Sequence, residues 1–226
     1  MTLGVLMLDT GFRRFPGDIG APESFSGPVI FERVPQATAG RIVGIADDGF
    51  LAPFVAAGHR LIERGATALT TSCGFLIAYQ EALAAKLPVP VATSALLLIP
   101  TLGQMLPAGK RVGVLTFSAA SLSPAHLTAA GAATDTPVIG LPEGGAFQRA
   151  IFEQPGEDGF ALREAEAVAT AKALVAAHAE IGAIVLECTN LSPHRDAIAA
   201  AAGCPAYDLW PLVGLITQGR TRDARA

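Results

Sequence analysis

Short apolar runs alternate with longer alanine-rich segments along the chain, and this alternation predicts an α/β fold with mostly parallel sheets. The apolar runs predict eight strands, at 3–8, 29–33, 67–71, 89–92, 111–116, 136–140, 182–187 and 205–207. Helices are expected between them, most clearly at 50–64, 75–86 and 158–178.

The segment 158–178 carries apolar residues at helical spacing. These residues recur three and four positions apart and predict one buried stripe: Leu162, Ala165, Val168, Ala171 and Val175. By contrast, the segment 11–28 is dense in glycine and proline, which predicts a long ordered loop. Loops of this kind often cover functional sites.

A repeat divides the chain. GATALTTSCGFLIAYQEALAAKLPVPV and GAIVLECTNLSPHRDAIAAAAGCPAY each contain an apolar strand, a cysteine, a helix and a second strand that a proline opens. Cys73 and Pro90 are 17 positions apart, and so are Cys188 and Pro205. We therefore predict two Rossmann-like lobes with parallel sheets, related by a pseudo-twofold axis. The first lobe comprises residues 1–98 and 208–226, and the second comprises residues 99–207.

Both repeat cysteines follow a predicted strand. Ligands of open parallel sheets bind beyond the carboxyl ends of the strands, where helix N-termini attract anions. If the lobes face each other, Cys73 and Cys188 lie on opposite walls of one cleft. Small polar residues and a glycine nearby offer donors for a substrate carboxylate: Thr71, Ser72, Gly74, Thr116, Thr189 and Asn190. The threonines, Ser72 and Asn190 suit helix caps equally well, and either cysteine alone would suit a buried core position.

Two thiols on opposite faces of one carbon suit a specific chemistry. Inverting the carbon next to a carboxylate needs a base on one face and an acid on the other, and these roles exchange in the reverse direction. A thiolate and a thiol meet this requirement without a metal or an organic cofactor. Because the reference pKa of a thiol is about 8.5, the site has to favour the thiolate.

At these residues the chain resembles the aspartate/glutamate racemase superfamily. The resemblance lies in the two halves, in Thr70-Thr71-Ser72-Cys73-Gly74-Phe75, and in Glu187-Cys188-Thr189-Asn190. It implies a cofactor-independent racemase or epimerase of a small carboxylate, such as an aspartate-like or glutamate-like amino acid, with Cys73 and Cys188 as the acid/base pair. It also implies that Asp9 and Thr10 correspond to the Asp-Ser pair of glutamate racemases. The chain departs from these racemases at Gly74, and at Asn190, which takes the place of a histidine.

The stretch Pro16-Gly17-Asp18-Ile19-Gly20 also resembles the opening loop of the algal-type dimethylsulfoniopropionate lyases of the same superfamily. Such a lyase would use one cysteine to remove the proton next to a carboxylate and then expel a β leaving group. The presence of Cys73 disfavours an arylmalonate-type decarboxylase, which keeps a cysteine only in the second half. A non-catalytic small-molecule binding protein is the third alternative, since fold alone does not decide function.

The amino-acid composition restricts the kinds of partner that we expect the protein to bind. The 226 residues are 51% hydrophobic and 16% charged. The net charge of −4 and the absence of a lysine or arginine tract disfavour sequence-independent binding to nucleic acid or to an anionic membrane. Three cysteines, without a predicted signal peptide or membrane span, favour a cytoplasmic protein with free thiols. No metal-ligand spacing is found, and base rates favour a homo-oligomer.

Overall fold

Two four-stranded sheets form the framework of the protein. The computed structural model describes residues 1–43, 48–152 and 159–218, and within them every strand pair is parallel. The first sheet contains β1 Leu3–Met7, β2 Val29–Arg33, β3 Ala68–Thr71 and β4 Val91–Ala92. The second contains β5 Arg111–Thr116, β6 Val138–Gly140, β7 Ile181–Leu186 and β8 Ala206–Tyr207. Their orders, β2-β1-β3-β4 and β6-β5-β7-β8, are equivalent, and the predicted fold class is confirmed.

Helices surround the two sheets. The α-helices are α1 Ala39–Ile42, α2 Leu51–Glu63, α3 Gln80–Lys86, α4 Ile99–Met105, α5 Pro124–Ala129, α6 Ala146–Phe152, α7 Phe160–Ala177, α8 Arg195–Ala202 and α9 Trp210–Gln218. Short 3₁₀ helices occupy Pro22–Ser24, Asp48–Phe50, Gly74–Tyr79, Ala95–Leu98 and Thr189–His194. None of the helices within the described ranges is long and apolar enough to cross a membrane.

The helix predicted at 75–86 is wrong in its first half. Residues Gly74–Tyr79 form a 3₁₀ helix, in which the N–H of Leu76 donates to the carbonyl of Cys73 at 3.2 Å. The matching segment Thr189–His194 is also 3₁₀, and its Pro193 has no N–H to donate to an α-helical ladder. Each cysteine therefore precedes a tightly wound turn.

The predicted apolar stripe of α7 is confirmed only in part, because Ala171 is buried but the buried face as a whole is displaced from the stripe. Leu162 is 66% exposed, whereas Arg163 is buried. The guanidinium of Arg163 lies 4.3 Å from the centroid of the Phe15 ring and 5.8 Å from that of Phe147. A long cationic side chain that covers aromatic rings can occupy a position that hydrophobicity alone assigns to solvent. The predicted start of this helix at residue 158 lies outside the described residues.

The loop 11–28 is ordered and contains the 3₁₀ helix Pro22–Ser24. It reaches residues outside the first sheet at two points. The indole N–H of Trp210 donates to the carbonyl of Gly17 at 2.7 Å, and the amide of Asn190 donates to the carboxylate of Asp18. The loop therefore connects the first sheet both to α9 and to the turn that follows Cys188.

The two lobes meet where the repeated cysteines begin their turns. The hydroxyl of Thr189 donates to the carbonyl of Ser72 at 2.9 Å. On the other side, a Cβ atom at Gly74 would collide with the carbonyl oxygen of Glu187 and with its Oε1 atom. The glycine is therefore required by the approach of the second lobe. The strands of the first sheet fall within 1–98 and those of the second within 99–207, and α9 packs against β3 and β4. The exact lobe boundaries stay predictions.

We expect Gly74→Ala to lower the free energy of unfolding by about 2 kcal/mol or more, since overpacking against backbone has costs of this size. Gly103→Ala is the matched control, because Gly103 lies in α4 and nothing lies within 4 Å of its would-be Cβ. The control should be neutral or stabilising by up to about 1 kcal/mol. Urea unfolding followed by circular dichroism measures both, and equal stability of the two variants would contradict the close contact of the lobes.

Candidate active site

A pocket opens between the lobes, beyond the carboxyl ends of their strands. The empty space in and around it, counted out into the solvent at its mouth, is about 380 Å³. Both cysteines, Cys73 and Cys188, line this pocket together with residues from the loop 11–28 and from the end of β5. The predicted pair of thiols therefore shares one cavity.

Cys73 is 9% exposed. Burial raises the pKa of its thiol to about 12, and the neighbouring Glu187 carboxyl adds to this increase. The backbone N–H groups of Phe75 and Leu76, and the guanidinium of Arg14, act in the opposite direction and favour the thiolate. Cys73 thus has three positive or N–H partners that would stabilise a negative sulfur.

Cys188 has a more negative environment. Burial raises the pKa of its thiol well above the ordinary value, and Glu187, Cys73 and Asp18 add to the increase, whereas the backbone N–H of Asn190 alone acts in the opposite direction. Its S–H donates to the side-chain oxygen of Asn190 at 3.6 Å. The structure therefore favours a neutral thiol at Cys188, and Cys73 is the easier of the two to ionise.

Glu187 is a buried carboxyl group beside both thiols. Its Oε2 atom accepts hydrogen bonds from the hydroxyl of Thr116 at 2.8 Å and from the N–H of Phe117 at 3.3 Å, whereas its buried Oε1 atom has no partner. Burial raises the pKa of Glu187 to about 7, although these two hydrogen bonds lower it.

A chain of polar groups runs from the loop 11–28 to Cys188. Arg14 pairs with Asp18 at 2.9 Å and donates to the hydroxyl of Thr10 at 3.3 Å. Asp18 in turn accepts from Asn190, whose oxygen accepts from Cys188. The side chain of Arg14 is only 10% exposed and lines the pocket, so it brings a positive charge to the cavity.

The remaining walls of the pocket are mainly apolar. Phe12, Phe75 and Phe117 contribute aromatic rings, and the guanidinium of Arg14 already lies 4.5 Å from the centroid of the Phe12 ring. Phe75 and Phe117 remain as the other aromatic surfaces. Such walls suit a ligand with methyl groups, and aromatic faces also attract cations.

The predicted site residues separate into two groups. Those that line the pocket are Cys73, Cys188, Thr10, Ser72, Gly74, Thr189 and Asn190. Asp9, Thr71 and Thr116 lie outside its lining. Asp9 is 36% exposed and binds Arg33 and the N–H of Gln36, which lower the pKa of its carboxyl. Thr71 donates to the carbonyl of Thr93 at 2.6 Å, and Thr116 holds Glu187.

Sequence reasoning left three kinds of pocket residue out of the site. Glu187 directly precedes Cys188, so its position at a strand end was a usable signal. Arg14 lines the pocket from the predicted covering loop, but charged loop residues are usually solvated; its partner Asp18 lies in the same loop, behind the pocket lining. Phe12, Phe75 and Phe117 carry no signal of their own, because isolated aromatic residues are typical of any core.

The third cysteine, Cys204, and the buried histidine His194 lie away from the pocket. Cys204 is partly buried and does not line the pocket. His194 is buried between the rings of Phe147 and Phe160, and burial lowers its pKa. Among the side chains that the structure describes, no group of three or more His, Cys, Asp or Glu is arranged to hold a metal ion.

Comparison with known proteins decides the family. The chain is 30% identical to a dimethylsulfoniopropionate lyase of Durusdinium sp. clade D over 92% of its own length and 71% of that protein. The chain belongs to the dimethylsulfoniopropionate lyase family. It is also 29% identical to lyase 7 and 27% identical to lyase 5 of Emiliania huxleyi, of which it spans 63% and 45%. No family model matches the chain.

Solved structures share the fold of this dimethylsulfoniopropionate lyase family member. A glycine-to-cysteine variant of arylmalonate decarboxylase, associated with sulfate, has a TM-score of 0.67 at 17% identity and covers 97% of this chain and 94% of its own. Allantoin racemase from Pseudomonas fluorescens (TM-score 0.59, 15% identity) covers 98% of this chain and 91% of its own. Glutamate racemase from Aquifex pyrophilus (TM-score 0.57, 15% identity) covers 99% and 85%. The predicted resemblance to the racemase superfamily is confirmed at the level of the fold.

The raised pKa of Glu187 makes stability depend on pH. Its folded pKa of about 7 exceeds the ordinary value of 4.5, so the folded state binds the proton more tightly than the unfolded state does. This contribution to the free energy of unfolding is fully present below about pH 4.5 and disappears as pH rises through about 7. A difference of this size corresponds to about 3 kcal/mol.

We expect Glu187→Gln to remove the pH-dependent contribution of Glu187 to the free energy of unfolding. As pH rises from 5 to 8, the wild type should therefore lose more stability than the variant. Urea unfolding at four pH values measures it. Glu143→Gln is the control, because the side chain of Glu143 is exposed. Parallel curves for wild type and Glu187→Gln would show that Glu187 titrates alike in both states.

Proposed function

We propose that this protein catalyses the β-elimination of dimethylsulfoniopropionate to acrylate and dimethyl sulfide. The observation that carries the proposal is the 30% identity to the Durusdinium lyase over 92% of the chain. The two thiols in one cleft support it, because removal of a proton next to a carboxylate is a step that elimination and racemisation share. The racemisation predicted from the sequence is the competing outcome.

Cys73 is the proposed base. Its thiolate takes a proton from the carbon next to the carboxylate, and the electrons of that C–H bond form the double bond. The bond from the β carbon to sulfur breaks with its electron pair on the sulfur, which leaves as neutral dimethyl sulfide. The Phe75 and Leu76 N–H groups and Arg14 favour this thiolate. Cys188, which donates to Asn190 and faces Asp18, stays a thiol.

The walls of the pocket fit both ends of a zwitterion. Arg14 supplies a positive charge for the carboxylate, and Thr10, Ser72 and Thr189 place polar groups around it. The rings of Phe75 and Phe117 suit the methylated sulfonium, since aromatic faces attract cations and accept methyl groups. An amino-acid substrate would also bring an ammonium group that needs hydrogen-bond acceptors. The apolar walls are better suited to a sulfonium, which has no N–H to satisfy.

We expect purified protein to convert dimethylsulfoniopropionate into acrylate and dimethyl sulfide. Proton NMR in heavy water measures the acrylate, and gas chromatography measures the dimethyl sulfide. Cys73→Ser should lower kcat at least about 100-fold, because general bases contribute 10²–10⁴-fold. Cys188→Ser should lower it by a smaller factor, and Cys204→Ser should match the wild type.

Two other results would each reject the proposed activity, and a third would change the residue assigned as the base. Deuterium exchange at the α carbon of chiral acids, with no alkene and with both cysteines essential, would identify a racemase. Binding without exchange or elimination would identify a binding protein. Elimination that survives Cys73→Ser but not Cys188→Ser would reverse the assignment of the base.

We expect Arg14→Met to raise KM for dimethylsulfoniopropionate at least about tenfold, because a hydrogen bond to a charged group contributes about 1.5–3 kcal/mol. Arg14→Lys should recover part of the loss. Arg60→Met is the matched control, since Arg60 pairs with Glu32 at the surface and does not line the pocket. Steady-state kinetics measures all three, and an unchanged KM in Arg14→Met would remove Arg14 from carboxylate binding.

A further inference from the structure

Ser72 of the first lobe is the structural counterpart of Glu187. A comparison of the two side chains shows which contacts of Glu187 a serine also makes and which require the carboxyl group. The N–H of Glu187 donates to the carbonyl of Leu115 at 2.9 Å, as the N–H of Ser72 donates to the carbonyl of Leu6 at 3.0 Å. Each of the two residues directly precedes a repeat cysteine. Ser72 and Glu187 are therefore equivalent positions of the duplicated framework.

The two side chains also perform the same local task. The hydroxyl of Ser72 accepts from the N–H of Leu8 at 3.0 Å, and Oε2 of Glu187 accepts from the N–H of Phe117 at 3.3 Å. A serine is thus sufficient to satisfy this backbone donor. The second carboxyl oxygen of Glu187, Oε1, is not needed to accept this hydrogen bond.

Oε1 is buried without a partner, which is costly for a polar atom. It lies against Gly74, the residue after Cys73, at a place where any Cβ would collide with it. The glycine thus makes room for a carboxyl oxygen beside the turn that carries Cys73. Since Oε2 already accepts two hydrogen bonds, Oε1 is the oxygen free to carry a proton.

We propose that Glu187 and Cys73 share a single negative charge, so that one proton resides either on Cys73 Sγ or on Glu187 Oε1. The two atoms are not hydrogen-bonded to each other, and solvent that enters the open pocket carries the proton between them. When the S–H bond breaks, its electron pair stays on sulfur, an O–H bond forms at Oε1, and the charge of the carboxylate passes to the thiolate. This inference rests on the proposed function for its use, because the thiolate then takes the proton of the substrate. The proton on Glu187 leaves to solvent when the products depart.

The charges around the pair support one shared negative charge over two. Glu187 raises the pKa of both thiols, and burial raises the pKa of Glu187 to about 7. The other charged groups that act on the thiols are Arg14 and Asp18, which form an ion pair with each other. His126 lies behind the Phe75 ring, with 5.5 Å between ring centroids. Arg14 is the cation among these groups, and it is shared between Asp18 and, under the proposed function, the substrate carboxylate. It therefore does not also offset two negative charges on Cys73 and Glu187.

If Cys73 and Glu187 share one negative charge, the fraction of Cys73 present as thiolate depends on pH in a characteristic way. Below the first ionisation of the pair, the thiolate fraction rises about tenfold per pH unit. Above it, the proton can only be redistributed between sulfur and oxygen, so the thiolate fraction levels off. Without the carboxyl group, the thiolate fraction continues to rise up to the pKa of the thiol itself.

The rate of alkylation by iodoacetamide tests this in the full chain with Cys188→Ser and Cys204→Ser, where Cys73 is the remaining thiol. We expect the rate to rise up to about pH 7 and then level off. With Glu187→Gln or Glu187→Ser added, it should continue to rise about tenfold per unit through pH 9. Glu187→Ser is informative because it copies the first lobe. Glu187→Asp should restore the plateau, and Glu143→Gln should leave it unchanged.

Identical profiles with Glu187 and with glutamine or serine would overturn the inference, and so would an aspartate variant that shows no plateau. Alkylation requires no turnover, so it reports on the shared charge even if the protein eliminates nothing from dimethylsulfoniopropionate. Conversely, elimination by a protein without the plateau would support the proposed function and reject the role of Glu187. The activity profile of Glu187→Gln against pH then provides a second reading of the same charge.

Discussion

The burial of two thiols and a carboxyl group in one cavity is the constraint on which the rest of this structure depends. Burial raises the pKa of Cys73, Cys188 and Glu187 alike, so the cavity disfavours negative charge. The surrounding elements determine where charge is still tolerated. N–H groups and Arg14 face Cys73, whereas Asp18 and the oxygen of Asn190 face Cys188. Chemical asymmetry thus arises within a framework whose strands and turns are duplicated.

Duplication also explains how the site is built. Each half delivers a cysteine at the end of its third strand and continues into a 3₁₀ turn, and the lobes meet at these turns. Small differences at equivalent positions then separate the roles. At the position before the cysteine, Ser72 of the first lobe corresponds to Glu187 of the second. At the position after it, Gly74 corresponds to Thr189, whose hydroxyl donates to the carbonyl of Ser72 across the interface. An arylmalonate decarboxylase, a glutamate racemase and an allantoin racemase share this fold, so the fold by itself does not decide the reaction.

The strands and the cysteine pair were predictable because they depend on local pattern and on the repeat. Apolar runs bounded by glycine and proline located all eight strands, and equal spacing indicated that Cys73 and Cys188 are equivalent. The buried face of α7 was not predictable, since Arg163 is buried by aromatic rings distant in sequence. Neither was the unpartnered Oε1 atom of Glu187, nor the position of Asp9 outside the pocket lining, because both depend on how separate strand ends approach each other in space.

The loop 11–28 acts as a strap. Its Asp18 is held by Asn190, which is also the acceptor for the Cys188 thiol, and its Gly17 is held by Trp210 of α9. The cover of the cleft and the second sulfur are therefore linked through one side chain, Asn190, which contacts both. Arg14, from the same loop, lines the cavity. One segment of the chain thus supplies both the cation of the site and the support for the acceptor of the Cys188 thiol.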